Sequence, residues 1–476
     1  MLVSTHDFES VRSELGLPPS AETDSFSPDV LAEAAEIASL PPSAVDDATD
    51  IPFVTIDPPG SMDLDQAMFL ERVGKGFRVH YAIADLGSAI TSGGAVDTEA
   101  RQRGQTLYLP DGRVPLHPPV LSEGSLSLLP DQVRGAALWT IDVDESGHQK
   151  SASVRRATVK SVAQLDYHGA QASFDHHDPH PSIEALADLG GARQRFRVGL
   201  GAIELALPEQ EILREGDDWR LHMRVRMPVD AWNAEISLLT GMAAAQLMLA
   251  AGVGLLRTLP TPEPRAMAGF LRTAAALGVP VPSGATPARV LADLDPDEPK
   301  ALALMTEATR LLRGAGYEAF DDSLPARPEH GGIGGPYAHV TAPLRRLADR
   351  FGTEVCLAIC QKTAVPAWVR DALPTLPEIM STSDHLASKA DRTCVDQVEV
   401  WMMQGREGER FEAVVLHSDR DGGEIMLLDP PAIGRCTGKG LREGSRIEVR
   451  LGKLDVARRR AEFAFDGGAR SSLVLG

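Results

Sequence analysis

Hydrophobic and polar positions follow a strand-like pattern over the first third of the chain and a helical period after it. The run 51–56, Ile-Pro-Phe-Val-Thr-Ile, reads as a buried strand, and 76–85, 136–143 and 151–162 read as three more. The last two are joined by Asp144-Glu145-Ser146-Gly147, a turn sequence. Further on, apolar residues recur every three or four positions and predict helices over 183–205, 234–251, 264–277, 299–313 and 341–365. Past residue 405 the pattern returns to short strands, 411–417, 423–428, 446–454 and 460–465, with Gly-rich turns between. Strands followed by helices predict a mixed α+β domain over 46–395, and the closing strands a small OB-like barrel within 405–476. Residues 1–45, rich in Pro, Ser, Asp and Ala, offer one short helix over 30–38.

One stretch needs care. Residues 236–256 carry no charge and are long enough for a membrane span. Ala and Gly dominate them, Gln246 interrupts them, and no aromatic belt or basic cluster flanks them. A helix buried inside a large core is expected, with no membrane association. No secretion signal opens the chain, so the expected compartment is the cytoplasm. Cys356, Cys360, Cys394 and Cys436 lack zinc-site spacing and are expected as free thiols. The loop His176-His177-Asp178-Pro179-His180-Pro181 reads as a surface loop rather than a metal tract.

The net charge of −20 repels a polyanion unless a cleft reverses the field locally. Candidate basic patches are Arg155-Arg156 with Lys160, Arg224 with Arg226, Arg345-Arg346, and Arg458-Arg459-Arg460. The chemistry concentrates in Thr-Ile-Asp-Pro-Pro-Gly-Ser-Met-Asp-Leu-Asp-Gln-Ala, residues 55–67. Asp57, Asp63 and Asp65 fall within nine residues, and Gln66 follows. Close like charges destabilise one another unless a cation joins them, and oxygen donors of this kind suit Mg²⁺. The strand before Asp57 places it at a strand end, and alternate residues Asp63 and Asp65 share one side of an extended segment. The alternative is a solvated acidic loop.

This segment resembles the signature of the ribonuclease II / ribonuclease R (RNB) family of exoribonucleases, in which four aspartates follow D-x5-D-x-D-D. Asp57, Asp63 and Asp65 match three of them, and Gln66 stands where the family has its fourth aspartate. Further blocks are similar in the same order. These are Tyr81-Ala82-Ile83-Ala84-Asp85, Tyr108-Leu109-Pro110, the run 114–122 with its Val-Pro-Leu start and Leu-Ser end, and Ser125-Leu126-Ser127-Leu128. Downstream, Tyr337-Ala338-His339-Val340-Thr341-Ala342-Pro343-Leu344-Arg345-Arg346-Leu347-Ala348-Asp349 resembles Y-A-x-F-T-S-P-I-R-R-Y-x-D.

The resemblance implies a Mg²⁺-dependent hydrolase, with Mn²⁺ as a substitute, that degrades single-stranded RNA from its 3′ end to nucleoside 5′-monophosphates. It implies an RNB catalytic domain over 46–395, a C-terminal OB-fold RNA-binding domain over 405–476, and no cold-shock domains within 1–45. Asp57, Asp63, Asp65 and Gln66 become the expected metal ligands, with Asp65 alternatively orienting the attacking water. Gln66 brings an oxygen but no charge, so weaker binding of one of two ions is expected. Arg345 is expected to contact the scissile phosphate from just inside a helix capped by Thr341 and started by Pro343. Tyr108, Tyr167, Glu235 and Arg346 are the expected substrate-binding residues. A monomer with no protein partner is expected. Two other readings stay open: a catalytically silent RNA-binding homologue, motivated by Gln66 and the altered arginine block, and a metal hydrolase of small phosphate esters.

Overall fold

The structure is a computed structural model that describes residues 7–465, except 23–24, 43–45, 206, 208, 225 and 296–297. The expected barrel's last residues, 466–476, and residues 1–6 of the opening segment lie outside that range.

The alternating first third builds one sheet. Its strands are β1 (Phe53–Asp57), β2 (Gln66–Val73), β3 (Gly76–Ala84), β4 (Val133–Val143) and β5 (Gln149–Asp166). Pairing runs β5-β1-β2-β3-β4, and β4 also pairs with β5, so the contacts form a ring. Strand β1 is parallel to β5, in a register that sets Asp57 opposite Asp166. Phe53, Val54, Thr55 and Ile56 are all buried, which explains the unbroken apolar run.

Ser27 caps α2 (Pro28–Ser39), the helix expected at 30–38. Helices α3 (Tyr167–Asp175), α4 (Leu186–Gly199) and α5 (Pro228–Ala251) follow the sheet. Among the described residues α5 alone is long and apolar enough to cross a membrane. Its apolar residues Ile236, Leu239, Ala243, Ala244, Ala245 and Met248 instead belong to the main core, together with residues of β1–β4 and of α6 (Leu347–Gln361). Helix α6 is shorter than expected: it starts at Leu347, not at 341. Also unforeseen are a small hairpin, Leu107–Leu109 with Gly112–Val114, and a second, Glu209–Glu215 with Asp218–Arg224. A long helix, α7 (Leu376–Met403), leads to the C-terminal strands.

Those strands are β6 (Arg410–Ser418), β7 (Gly422–Leu427), β8 (Ile433–Thr437), β9 (Arg446–Asp455) and β10 (Arg460–Ala464), and they close into a barrel in the order β6-β7-β8-β10-β9. The chain is thus an α+β domain followed by an OB-like barrel, as its period changes predict.

Candidate active site

The acidic loop is set by its neighbours rather than by its own charges. After β1 the turn closes with Ser61 N–H donating to the Pro58 carbonyl at 3.1 Å, and Gly60 takes φ +80°, which suits glycine. The buried Leu64 then donates its N–H to Ser127 Oγ at 2.9 Å, while Ser127 Oγ donates to the Met62 carbonyl at 2.6 Å. Leu64 anchors inward, and Asp63 and Asp65 flank it. Asp63 accepts a 2.8 Å bond from the Tyr108 hydroxyl. Asp65 is buried and accepts from Leu344 N–H at 2.7 Å, with Arg345 Nε 3.3 Å away.

Arg345 lies in a turn ahead of α6, not inside a helix. Ala342 N–H donates to Asp349 Oδ1 at 2.7 Å, so two backbone donors of the turn, Ala342 and Leu344, are taken by carboxylates rather than turned toward a phosphate. The turn is tied to the strand leading to Tyr108, through Thr106 N–H to the Arg345 carbonyl at 3.0 Å and Leu347 N–H to the Gly104 carbonyl at 2.9 Å. Arg345 itself stays 45% exposed, and apart from Asp65 its guanidinium has no ion-pair partner among the described residues.

The electrostatics place the parts together. Burial pushes the Asp65 carboxyl up to about 8 and the Asp57 carboxyl up to about 6, with Arg345 opposing both and Asp63 adding to the rise at Asp57. The same guanidinium acts on the hydroxyls of Tyr81, Tyr108 and Tyr167, which burial raises. Tyr167 follows Asp166, the register partner of Asp57, and starts α3. Its hydroxyl accepts from Asn233 Nδ2 at 3.1 Å, and the Arg224 guanidinium lies 5.7 Å from its ring centre.

Three expected roles change. Gln66 has both ends engaged: its amide donates to the Thr341 carbonyl at 2.7 Å, and its oxygen accepts from Tyr81 and Ser237. It is a neutral cross-link between β2, β3, α5 and the arginine turn, a task an aspartate cannot do because it lacks the N–H donors. Glu235 points away from the site. It is 1% exposed and bonded to Arg197 on α4 by contacts of 2.5 to 3.0 Å. Arg346 is held by Asp349 at 2.9 and 2.7 Å, which anchors the turn rather than offering a free guanidinium.

The other basic patches are also largely paired internally. Arg155 meets Asp46, Arg156 meets Asp85 and Glu354, Lys160 meets Asp131, Arg224 meets Asp230, Arg226 meets Glu209, and Arg459 meets Glu14.

Sequence reasoning missed Asn233, Ser237 and Asp349. The first two were detectable as polar residues four apart on one helix, hence on one face. Asp349 lay inside the arginine block without an assigned task.

Among the described residues no three His, Cys, Asp or Glu side chains stand close enough to hold an ion between them. Asp63, Asp65 and Gln66, three of the four expected ligands, each engage a different protein partner: the Tyr108 hydroxyl, the Leu344 N–H and the Thr341 carbonyl. The adjacent carboxylates Asp57 and Asp63 remain. Their hard oxygen donors fit one Mg²⁺ or Mn²⁺, which needs only one or two carboxylates beside water and phosphate.

A family model described as RNB domain matches residues 45–353, and one described as RNase II-type exonuclease C-terminal S1 domain matches 409–465. Ribonuclease R of Escherichia coli (strain K12) is 25% identical over 481 aligned residues, which cover 90% of this chain and 58% of that protein. The chain therefore spans under two thirds of that relative's length. Among solved structures, Mycoplasma genitalium RNase R in complex with ribose methylated single-stranded RNA has a TM-score of 0.82 at 20% identity, over 93% of this chain and 75% of the other. Yeast Ssd1, a pseudonuclease, has a TM-score of 0.71 at 18% identity, over 87% and 54%.

Proposed function

Since the chain belongs to the RNB family, we propose that it is an exoribonuclease that hydrolyses single-stranded RNA from the 3′ end, with Mg²⁺, to nucleoside 5′-monophosphates. The observation that carries this reading is that the half-exposed guanidinium of Arg345 stands 3.3 Å from the buried Asp65, while its turn is tied at Thr106 to the strand of Tyr108, whose hydroxyl is bonded to Asp63. Arg345 would bind the scissile phosphate and take charge that builds on its oxygens. Asp65 would orient the attacking water and, in its ionised form, which its raised carboxyl pKa of about 8 favours only at alkaline pH, accept its proton as the bond from phosphorus to O3′ breaks. Tyr108 and Tyr167 would offer flat faces to the last bases, since stacking tolerates any sequence. Asp57 and Asp63 would hold the cation, which when bound supplies charge neutralisation at the phosphate. The barrel would guide the strand. We place the protein in the cytoplasm as a monomer, where its four cysteines remain unpaired.

A second reading, an RNA-binding relative with impaired chemistry, is favoured by the engagement of Gln66 and the missing three-carboxylate cluster. A time course on 5′-labelled single-stranded RNA with Mg²⁺ or Mn²⁺ separates the two. A ladder or short limit product that disappears with EDTA and in Asp65→Asn is the expected result. Intact RNA under both metals, with binding retained, overturns the enzyme reading.

A further inference from the structure

Tyr108 sits on a three-residue strand of a hairpin too short to hold its own position. Its tip is gripped from outside. Asp111 accepts two bonds from one side chain, from Arg12 Nε at 2.9 Å and Arg12 Nη2 at 2.6 Å, while Arg12 Nη1 donates to the Pro18 carbonyl at 3.2 Å. Arg12 belongs to α1 (Glu9–Leu15) and is completely buried, whereas Asp111 keeps 14% exposure. A planar fork on a carboxylate fixes direction as well as distance. Helix α1 is itself seated by Phe8, whose ring lies 5.3 Å from both Trp219 and Trp401, centre to centre. Trp219 stands on the strand that ends at Arg224, the residue over the Tyr167 ring. Leu107, Leu109 and Val114 of the Tyr108 hairpin share one small apolar core with Phe8, Val11, Leu221 and Val398.

We propose that Arg12 is a positioning residue for the RNA cleft: by clamping Asp111 it holds Tyr108 against Asp63, while α1 braces the hairpin that backs Tyr167. The inference rests on Tyr108 and Tyr167 being walls of that cleft. It concerns a segment, 9–15, that carries no nucleic-acid motif and precedes the residues matched by the RNB domain.

The test compares the full chain with Arg12→Met, Asp111→Asn, Tyr108→Ala and the Arg12→Met/Tyr108→Ala double variant. Two readouts are used: hydrogen exchange of backbone amides at 106–114, and affinity for a fluorescein-labelled single-stranded RNA in EDTA, where no turnover occurs. Arg12→Met is expected to speed exchange at 106–114 and to weaken RNA binding about fivefold to tenfold, the scale of one disturbed stacking contact. In the Tyr108→Ala background, where no ring is left to position, the same change should add less than about twofold, because coupled residues are not additive. Unchanged exchange, unchanged affinity or full additivity each overturns the inference. If Arg12→Met does not fold, Asp111→Asn, which keeps the shape and weakens the fork, decides by the same criteria. A wild-type chain that binds no RNA overturns the functional reading and this inference with it, and the exchange data then show separately whether Arg12 governs the hairpin.

Discussion

The two faces of α5 use similar polar residues to opposite ends. Toward the cleft, Asn233 makes a neutral contact to Tyr167, and Ser237 makes neutral contacts to Gln66 and Tyr81, next to a guanidinium that is half exposed and lightly held. Behind the helix, Glu235 and Arg197 are almost fully buried and bonded several times over. A saturated ion pair has no capacity left for a ligand, and its task is to hold α4 against α5. The cleft keeps unsatisfied capacity because substrate is to fill it. Charge alone therefore does not mark function; unsatisfied charge in a position to meet substrate does.

Breaking the cleft should cost rate and leave the fold intact. Asp65→Asn should lower turnover by about a thousandfold or more, read as single-turnover cleavage of labelled RNA. It should also stabilise the metal-free protein at alkaline pH. The Asp65 carboxyl titrates near 8 when folded and about 3.9 when unfolded, so the folded state holds a proton the unfolded state has lost. Stability of the wild type in EDTA should fall as pH rises from about 4 to 8, and thermal melts should show a smaller fall for Asp65→Asn. Equal falls in both proteins would mean that Asp65 is not a buried acid of this kind.

Arg345→Ala comes next. About a hundredfold to a thousandfold loss of kcat/KM is expected, with the melting temperature nearly unchanged, since its only ion pair among the described residues is a 3.3 Å contact.

Behind the helix the pattern should invert. Glu235→Gln removes the buried carboxylate bonded to Arg197, leaving it only the more distant Glu204 at 3.6 Å, and should destabilise by about 3–5 kcal/mol in urea titrations, with activity per folded molecule retained well below the transition. A normal melt with lost activity would restore Glu235 to the site.

Gln66→Asp sharpens the boundary between the two regions and should have the smallest effect. Setting a carboxylate against the Thr341 carbonyl removes a donor and should cost the metal-free protein about 1–3 kcal/mol. Mg²⁺ or Mn²⁺ should recover more stability in this variant than in the wild type, as measured by calorimetric titration and melting.

Periodicity located most of the long elements because each buries one face. It missed the Tyr108 hairpin and β8, whose strands of three and five residues carry too little pattern, and also the longer β2, α3, α7 and the hairpin over 209–224. It overran the start of α6, because whether Ala342 and Leu344 continue a helix depends on Asp349 and on a carboxylate 279 positions away in sequence. The motif order identified the family and brought Asp57, Asp63, Asp65 and Arg345 to notice. It misassigned Glu235, whose partner Arg197 lies 38 positions away on another helix, and Arg346, whose partner Asp349 stands three residues on and was legible in the spacing.

From sequence alone follow the α+β-then-barrel order, the identity of the acidic loop and the presence of an arginine turn far downstream. These rest on local period and residue type, which every segment carries in itself. Only tertiary structure decided which charges stay available. A guanidinium or carboxylate is free or engaged according to what the rest of the chain packs against it, and for Gln66, Glu235 and Arg346 those groups come from a different element or a separate turn. Chemistry was legible where it was local; satisfaction was not, because it is a property of pairs brought together by folding.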